Sequence, residues 1–257
     1  AQLTYFFSER LAIDPMTIQG VRYRLDDALK KRSIESTHSL ARLYVDSYAS
    51  FDTFTVKSDR KSIEVTAIGA GGDFFMFHPL KLLNGQYFAE SDIRKDVVLV
   101  DEDTAWHLFG SPDIVGQDII INDAYYKVIG VFERESGELE TMAGNGCATI
   151  YLPYESYVSV AGDAYITVYE IVAPKPVKGF AGEMVGEFFE YGEDEMVVVE
   201  NSSRFGYEAF YKLLKERAVR SMKTNDVVFP FWEIVHSEPS KLILVSLRAS
   251  ISKFKRK

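Results

Sequence analysis

Cysteine is almost missing from this chain: Cys147 is the only one among 257 residues. A single thiol excludes an intramolecular disulfide and a cysteine-built zinc cage. It follows Ala143-Gly144-Asn145-Gly146 and reads as one more small residue. Low cysteine content fits the cytoplasm, and equally an outward-facing domain large enough to hold without staples. Long apolar runs are missing too. No window approaches the ~18–20 continuous apolar residues that a bilayer-spanning helix needs, and Leu242-Ile243-Leu244-Val245 is far too short. The opening Ala1-Gln2-Leu3-Thr4 lacks the basic start and apolar stretch of a secretory leader. Positive charge is in deficit, with 29 Lys and Arg against 38 Asp and Glu and a net charge of −9. Nucleic acid is therefore excluded as a partner, because wide phosphate contact needs a concentrated basic surface.

Catalytic signatures are equally scarce. The four histidines, His38, His78, His107 and His236, include no pair at the i, i+4 spacing of a helical zinc motif. Each is expected at a surface or an edge. No Gly-x-Ser-x-Gly elbow offers an acyl-transfer serine. Gly69-Ala70-Gly71-Gly72 suggests a phosphate loop, but Asp73 follows where a Walker loop needs Gly-Lys-Ser/Thr. Two acidic clusters, Asp101-Glu102-Asp103 and Glu190 with Glu193-Asp194-Glu195, lack the alternating ligands and central glycine of an EF-hand. The first reads as the acidic opening of a helix and the second as a solvated turn. No metal and no cofactor is expected.

What is present is an apolar content of 47%, ample for one large domain or two small lobes. Asp14-Pro15 announces a helix, and Ile18, Val21, Leu25, Ala28 and Leu29 place one apolar stripe along it. Leu40 to Val56 reads as a long strand broken near Ala49-Ser50. Ser58–Lys61 then turns the chain into a second strand, Ser62 to Ile68, which the glycines end. Val97 to Val100 is a short buried strand, and Asp101 to Leu108 a helix stopped by Gly110. Ile119 to Ile121, Asn122-Asp123 and Tyr125 to Phe132 form a hairpin. Residues 133–146 form an acidic, Gly-rich exposed loop. Strands over Ala148 to Leu152, Tyr165 to Ala173 and Met196 to Val199 alternate with helices over Phe180 to Phe189 and from Ser202-Ser203 to about Met222. The fold class is α+β.

Several residues in this pattern resemble the extracytoplasmic core domain of MacB-like and FtsX-like ABC transporter permeases. They are Gly85-Gln86-Tyr87-Phe88, Leu108-Phe109-Gly110, Val115-Gly116-Gln117, the strand Tyr126 to Val131, and Phe229-Pro230-Phe231-Trp232-Glu233. The last looks like the approach to a second membrane helix, and Tyr5-Phe6 looks like the segment leaving a first one. The resemblance implies two lobes. A split α+β lobe with a helix-covered mixed sheet would span 1–85 and 155–222, and a smaller, mainly β lobe would be inserted over 86–154. Residues 223–257 would form a juxtamembrane tail, or a tail foreign to the family pattern. From Pro239 that tail carries Lys241, Arg248, Lys253, Lys255, Arg256 and Lys257 and no acid, a composition drawn to anionic lipid. Phe6, Phe7, Phe231 and Trp232 are the membrane-proximal candidates, since aromatic residues favour that interface.

The resemblance further implies a non-catalytic domain at the cell membrane, on its extracytoplasmic side, that couples membrane-helix motion to export or release of a substrate. A separate ATP-binding subunit and a second permease copy or homologue would be its partners. Two other classes stay open. One is a free-standing extracellular module for peptide or lipid. The other is a hydrolase using clustered acids, which would need converging carboxylates of perturbed pKa in a cleft.

Overall fold

The computed structural model describes residues 1–36, 38, 41–134, 148–174, 180–189, 191–192, 195–201, 223–224, 227–230 and 232–233. Its strands are β1 (Gln2–Phe7), β2 (Val45–Lys57), β3 (Ser62–Gly72), β4 (Lys81–Gly85), β5 (Val97–Asp101), β6 (Asp118–Ile121) and β7 (Ala124–Glu133), followed by β8 (Thr149–Pro153), β9 (Val168–Val172), β10 (Met196–Glu200), β11 (Lys223–Thr224) and β12 (Val227–Val228). Its helices are α1 (Pro15–Lys31), α2 (Phe74–Phe77), α3 (Glu102–Phe109), α4 (Tyr154–Ala161) and α5 (Phe180–Gly186).

One mixed sheet holds ten of these strands, in the order β10-β1-β9-β2-β3-β8-β5-β7-β4, with β6 pairing both β2 and β7. The β3–β8 and β5–β7 pairs are parallel and the others antiparallel. The α+β class is as read, but the sheet runs without a break across the expected lobe boundaries near residues 86 and 155. β5, β6, β7 and β8 bond directly or through one another to β2 and β3. The two halves differ instead in what covers them.

On one face α1 and α5 lie over β1, β9 and the start of β2, around Leu3, Tyr5, Ile18, Val21, Leu25, Tyr169 and Met184. On the same face α3 and α4 cover the other half, around Val65, Val98, Val100, Leu108, Ile121, Val128 and Tyr157. The opposite face carries Phe6, Ala49, Ile68, Phe74, Leu99, Tyr151 and Val168. Alternating residues of β1 and β5 thus enter cores on both faces, which is why Tyr5-Phe6-Phe7 and Val97–Val100 are apolar without a break. The Tyr5-Phe6 stretch belongs to a strand paired between β9 and β10.

Two local expectations are corrected. β2 is continuous through Ala49-Ser50, because its residues 45–57 pair with β9, β3 and β6 in turn. β3 does not stop at its glycines. They extend it to Gly72 because tyrosine rings lie where side chains would be. A Cβ on Gly69 would stand 2.4 Å from Cγ of Tyr157, and one on Gly71 2.2 Å from the Tyr48 ring. The acidic loop over 133–146, apart from its first two residues, and the helix expected over 202–222 lie outside the described residues.

Some of the expected tail belongs to the fold. β11 and β12 form a two-stranded ribbon, and Val227 bridges antiparallel to Ser8 just past the end of β1. From there Phe229 and Trp232 enter the core on the face opposite the long helix α1.

Candidate functional site

The expected membrane-proximal aromatics are core residues wherever they are described. Phe6 and Phe7 are 0% and 1% exposed and Trp232 is 9% exposed; Phe231 lies outside the described residues. Phe6 meets Phe229 edge-on with ring centroids 5.0 Å apart. Trp232 sits among Phe51 at 6.4 Å, Phe74 at 5.9 Å and His78 at 5.0 Å. The rings of Phe6, Phe7 and Trp232 face protein.

Beneath Trp232 the sheet carries a buried polar row that the sequence does not announce. Thr4 of β1, Glu170 of β9 and Ser47 of β2 stand side by side in register. Glu170 is 4% exposed. Its carboxylate accepts from the Thr4 hydroxyl at 3.2 Å and from His78 Nε2 in a short contact. The Thr4 hydroxyl in turn accepts from Asn201 Nδ2 at 2.9 Å. A carboxylate removed from water needs such donors, so His78, expected at a surface or an edge, has a structural task. Its ring is clamped between Phe74, at 4.8 Å, and Trp232.

On the other face a groove of about 530 Å³ opens between α1, the segment leading into β2, the end of β3 and Ala89–Ser91. Arg22 projects from α1 into it, and its Nε donates to Asp46 at 2.8 Å. Its two terminal nitrogens reach Glu90 at 3.3 and 3.2 Å. Glu90 also accepts from the Tyr48 hydroxyl at 2.8 Å, and Asp46 from Tyr169 at 3.2 Å. Arg42 holds Asp73 with both terminal nitrogens, at 2.6 and 2.9 Å. Burial, and then the neighbouring Asp46, pushes the Tyr169 hydroxyl far above the ordinary tyrosine value. Burial and then Glu90 does the same for Tyr48. Burial opposes the charge on Arg22, but Asp46 and Glu90 more than offset it. Both guanidiniums are committed to carboxylates across the walls, and the phenols stay protonated. The groove is a set of paired charges, not an acid–base centre.

The expected acids are placed accordingly. Asp101 is the N-cap of α3, accepting from the Thr104 and Thr149 backbones at 2.7 and 2.8 Å. Burial raises its pKa, against the lowering pull of those bonds. Its carboxyl is fully buried at a helix end. Glu190, Glu193 and Asp194 lie outside the described residues. Among the described residues no group of three or more His, Cys, Asp or Glu side chains could hold a metal ion. Among them, too, no helix is long and apolar enough to cross a membrane.

Known proteins resemble this arrangement. Residues 5–180 match the profile of the MacB-like periplasmic core domain. The macrolide export ATP-binding/permease protein MacB of Chromobacterium violaceum is 30% identical over 179 residues, covering 63% of this chain and 27% of that protein. MacB 2 of Aeromonas hydrophila is 35% identical over 101 residues, covering 38% of this chain and 15% of that protein. The chain thus spans about a quarter or less of the length of these relatives. Among solved structures, the periplasmic region of MacB from Actinobacillus actinomycetemcomitans superposes with a TM-score of 0.56 at 15% identity, over 85% of this chain and 94% of that one. The extracellular domain of the transporter YknZ from Gram-positive bacteria gives 0.52 at 11% identity, over 78% of this chain and all of that one.

Proposed function

Because the chain belongs to the family of MacB-like periplasmic core domains, we propose that it is the non-catalytic coupling domain of an ABC transporter permease. It stands on the extracytoplasmic side of the cell membrane and converts movement of membrane helices into export or release of a substrate. ATP is hydrolysed by a separate ATP-binding subunit or domain, and a second permease copy or homologue stands beside it. The observation that carries this reading is that sequence-distant segments meet on one sheet. Ser8 bridges Val227 and Phe6 packs on Phe229, while β1 is bonded on both sides within the ten-stranded sheet. Movement delivered through either segment enters the same sheet.

The test is deletion of residues 1–233 from the whole transporter, with a short linker in their place. Coupling requires that export stop while ATP hydrolysis continues. Unchanged export refutes the reading. The groove around Arg22 favours a second reading, a free-standing extracellular peptide- or lipid-binding module. That reading expects the isolated chain to retain a peptide or lipid in the groove, and Arg22→Met to abolish the retention.

A further inference from the structure

The groove beside α1 holds more acid than its own cations answer. Asp26, Asp46, Asp73 and Glu90 line it against two guanidiniums, Arg22 and Arg42. Arg22 is shared between Asp46 and Glu90, and Arg42 is spent on Asp73. Asp26 stands in no ion pair among the described residues. Asp46, on the sheet, is 4% exposed. Its Oδ2 takes both donors that reach the carboxylate, Arg22 Nε at 2.8 Å and the Tyr169 hydroxyl at 3.2 Å. Its Oδ1 accepts no hydrogen bond from the described residues.

A carboxylate so far removed from water ordinarily has donors on both oxygens. The guanidiniums and phenols of the walls are already placed. Arg22 spans to Glu90 through both terminal nitrogens, the Tyr48 hydroxyl also serves Glu90, and the Tyr44 hydroxyl donates to the Arg22 carbonyl at 3.3 Å. A donor for Oδ1 therefore enters from the groove, and the surplus of acid selects a cation. Leu43 and Tyr44 give the same groove an apolar wall for a hydrocarbon chain. We infer that the groove is a binding site for a small aliphatic diamine. One ammonium donates to Asp46 Oδ1, and the second is held by the unpaired charge of Asp26. The inference goes beyond both readings above, since it needs neither coupling nor a bound peptide or lipid.

The test is calorimetric titration of the purified 257-residue chain with 1,4-diaminobutane at low ionic strength. Saturable one-to-one binding is expected. The bis-trimethylammonium analogue carries the same charge without an N–H and should bind at least about tenfold more weakly, the loss expected when a hydrogen bond to a charged group is removed. Equal affinity for the two, or no binding of the diamine, overturns the site. In the amide spectrum, diamine should shift residues 42–46, 72–73 and 89–91. Shifts confined to other places overturn it as well. Asp46→Asn should abolish binding, and a folded Asp46→Asn protein that binds as before refutes the role of Oδ1. Should that variant not fold, Asp26→Asn decides, because Asp26 is exposed on α1. It should weaken the diamine about two- to fivefold, as loss of an exposed ion pair does, and unchanged affinity overturns the assignment. Export by the whole transporter and retention of a peptide or lipid are separate readouts, so each idea can fail alone.

Discussion

Gly69 shows how one missing methyl group settles the course of a strand. Its Cα approaches the Tyr157 ring so closely that Ala at this position must displace the ring or the strand. Gly69→Ala is expected to cost about 1–3 kcal/mol, as overpacking does in a filled core. A urea titration measures it, and the cost should shrink in a Tyr157→Ala background, where the obstruction is gone. Asp14 makes the converse case, a residue whose task is legible from sequence. It caps α1 by accepting from the Thr17 backbone at 2.7 Å and from its hydroxyl at 2.6 Å. Those bonds, the side-chain one first, hold its carboxyl below the usual carboxylate range. Asp14→Ala should cost about 1 kcal/mol at neutral pH. Because the folded pKa is the lower one, this contribution is present above the ordinary value of about 3.9 and fades as pH falls through the folded value. Wild type and Asp14→Ala stabilities should therefore converge in strong acid. His78 and Glu170, by contrast, could not be paired in advance. They are 92 positions apart in the chain, and only the sheet brings β9 beneath α2.

At the level of elements, what the sequence announced well was whatever obeys a local rule. The stripe of α1 appears as read, with Ile18, Val21, Leu25 and Leu29 all buried. The Asn122-Asp123 turn appears too, both residues having positive φ, 46° and 64°, as a tight hairpin turn with right-handed strand twist requires. Asp123→Gly should raise the thermal midpoint, relieving a left-handed conformation by up to about 1 kcal/mol. Asn122 should resist the same change, because its side chain donates to the Val160 carbonyl at 2.9 Å. Three of the motifs that carry the family resemblance hold a glycine with positive φ, Gly85, Gly110 and Gly116, and are turn-makers of the same local kind. Gly85, at φ 86°, passes so close to the Ile129 carbonyl that a Cβ would stand 2.1 Å from it. Gly116 donates its N–H to Val128 at 2.7 Å. Elements missed in the sequence follow non-local rules. β1 is apolar on both faces because two cores meet on it. α4 follows Pro153 with a Tyr- and Val-rich sequence whose buried residues, Tyr154, Ser156, Tyr157 and Val160, pack on the sheet rather than follow helix propensity.

For the whole molecule, one sheet runs through both of the stretches expected as separate lobes. The 86–154 stretch has its own turns and its own helix, yet β8 lies directly against β3 and β6 against β2. A sheet continuous across both halves should unfold as one unit. The slowest-exchanging amides of β5 and β9 are expected to report the same unfolding free energy and urea dependence. Two distinct values would support the two-lobe division. Part of the expected tail reaches the fold, because Val227, Phe229 and Trp232 bury their side chains. Charge gives no hint of this, since the basic residues that suggested a tail all follow Pro239.

The position of β1 has a further consequence. It is laced along both edges, to β9 and to β10, so tension applied along its axis loads many hydrogen bonds at once, in shear. Tension on Trp232 loads ring contacts on the face of the sheet, with Phe51, Phe74 and His78, rather than a paired strand edge. The same domain is thus a stiff tether when pulled from its first strand and a compliant one when pulled from the segment bearing Trp232. Optical-trap stretching from handles at those two places should record high and low rupture forces respectively.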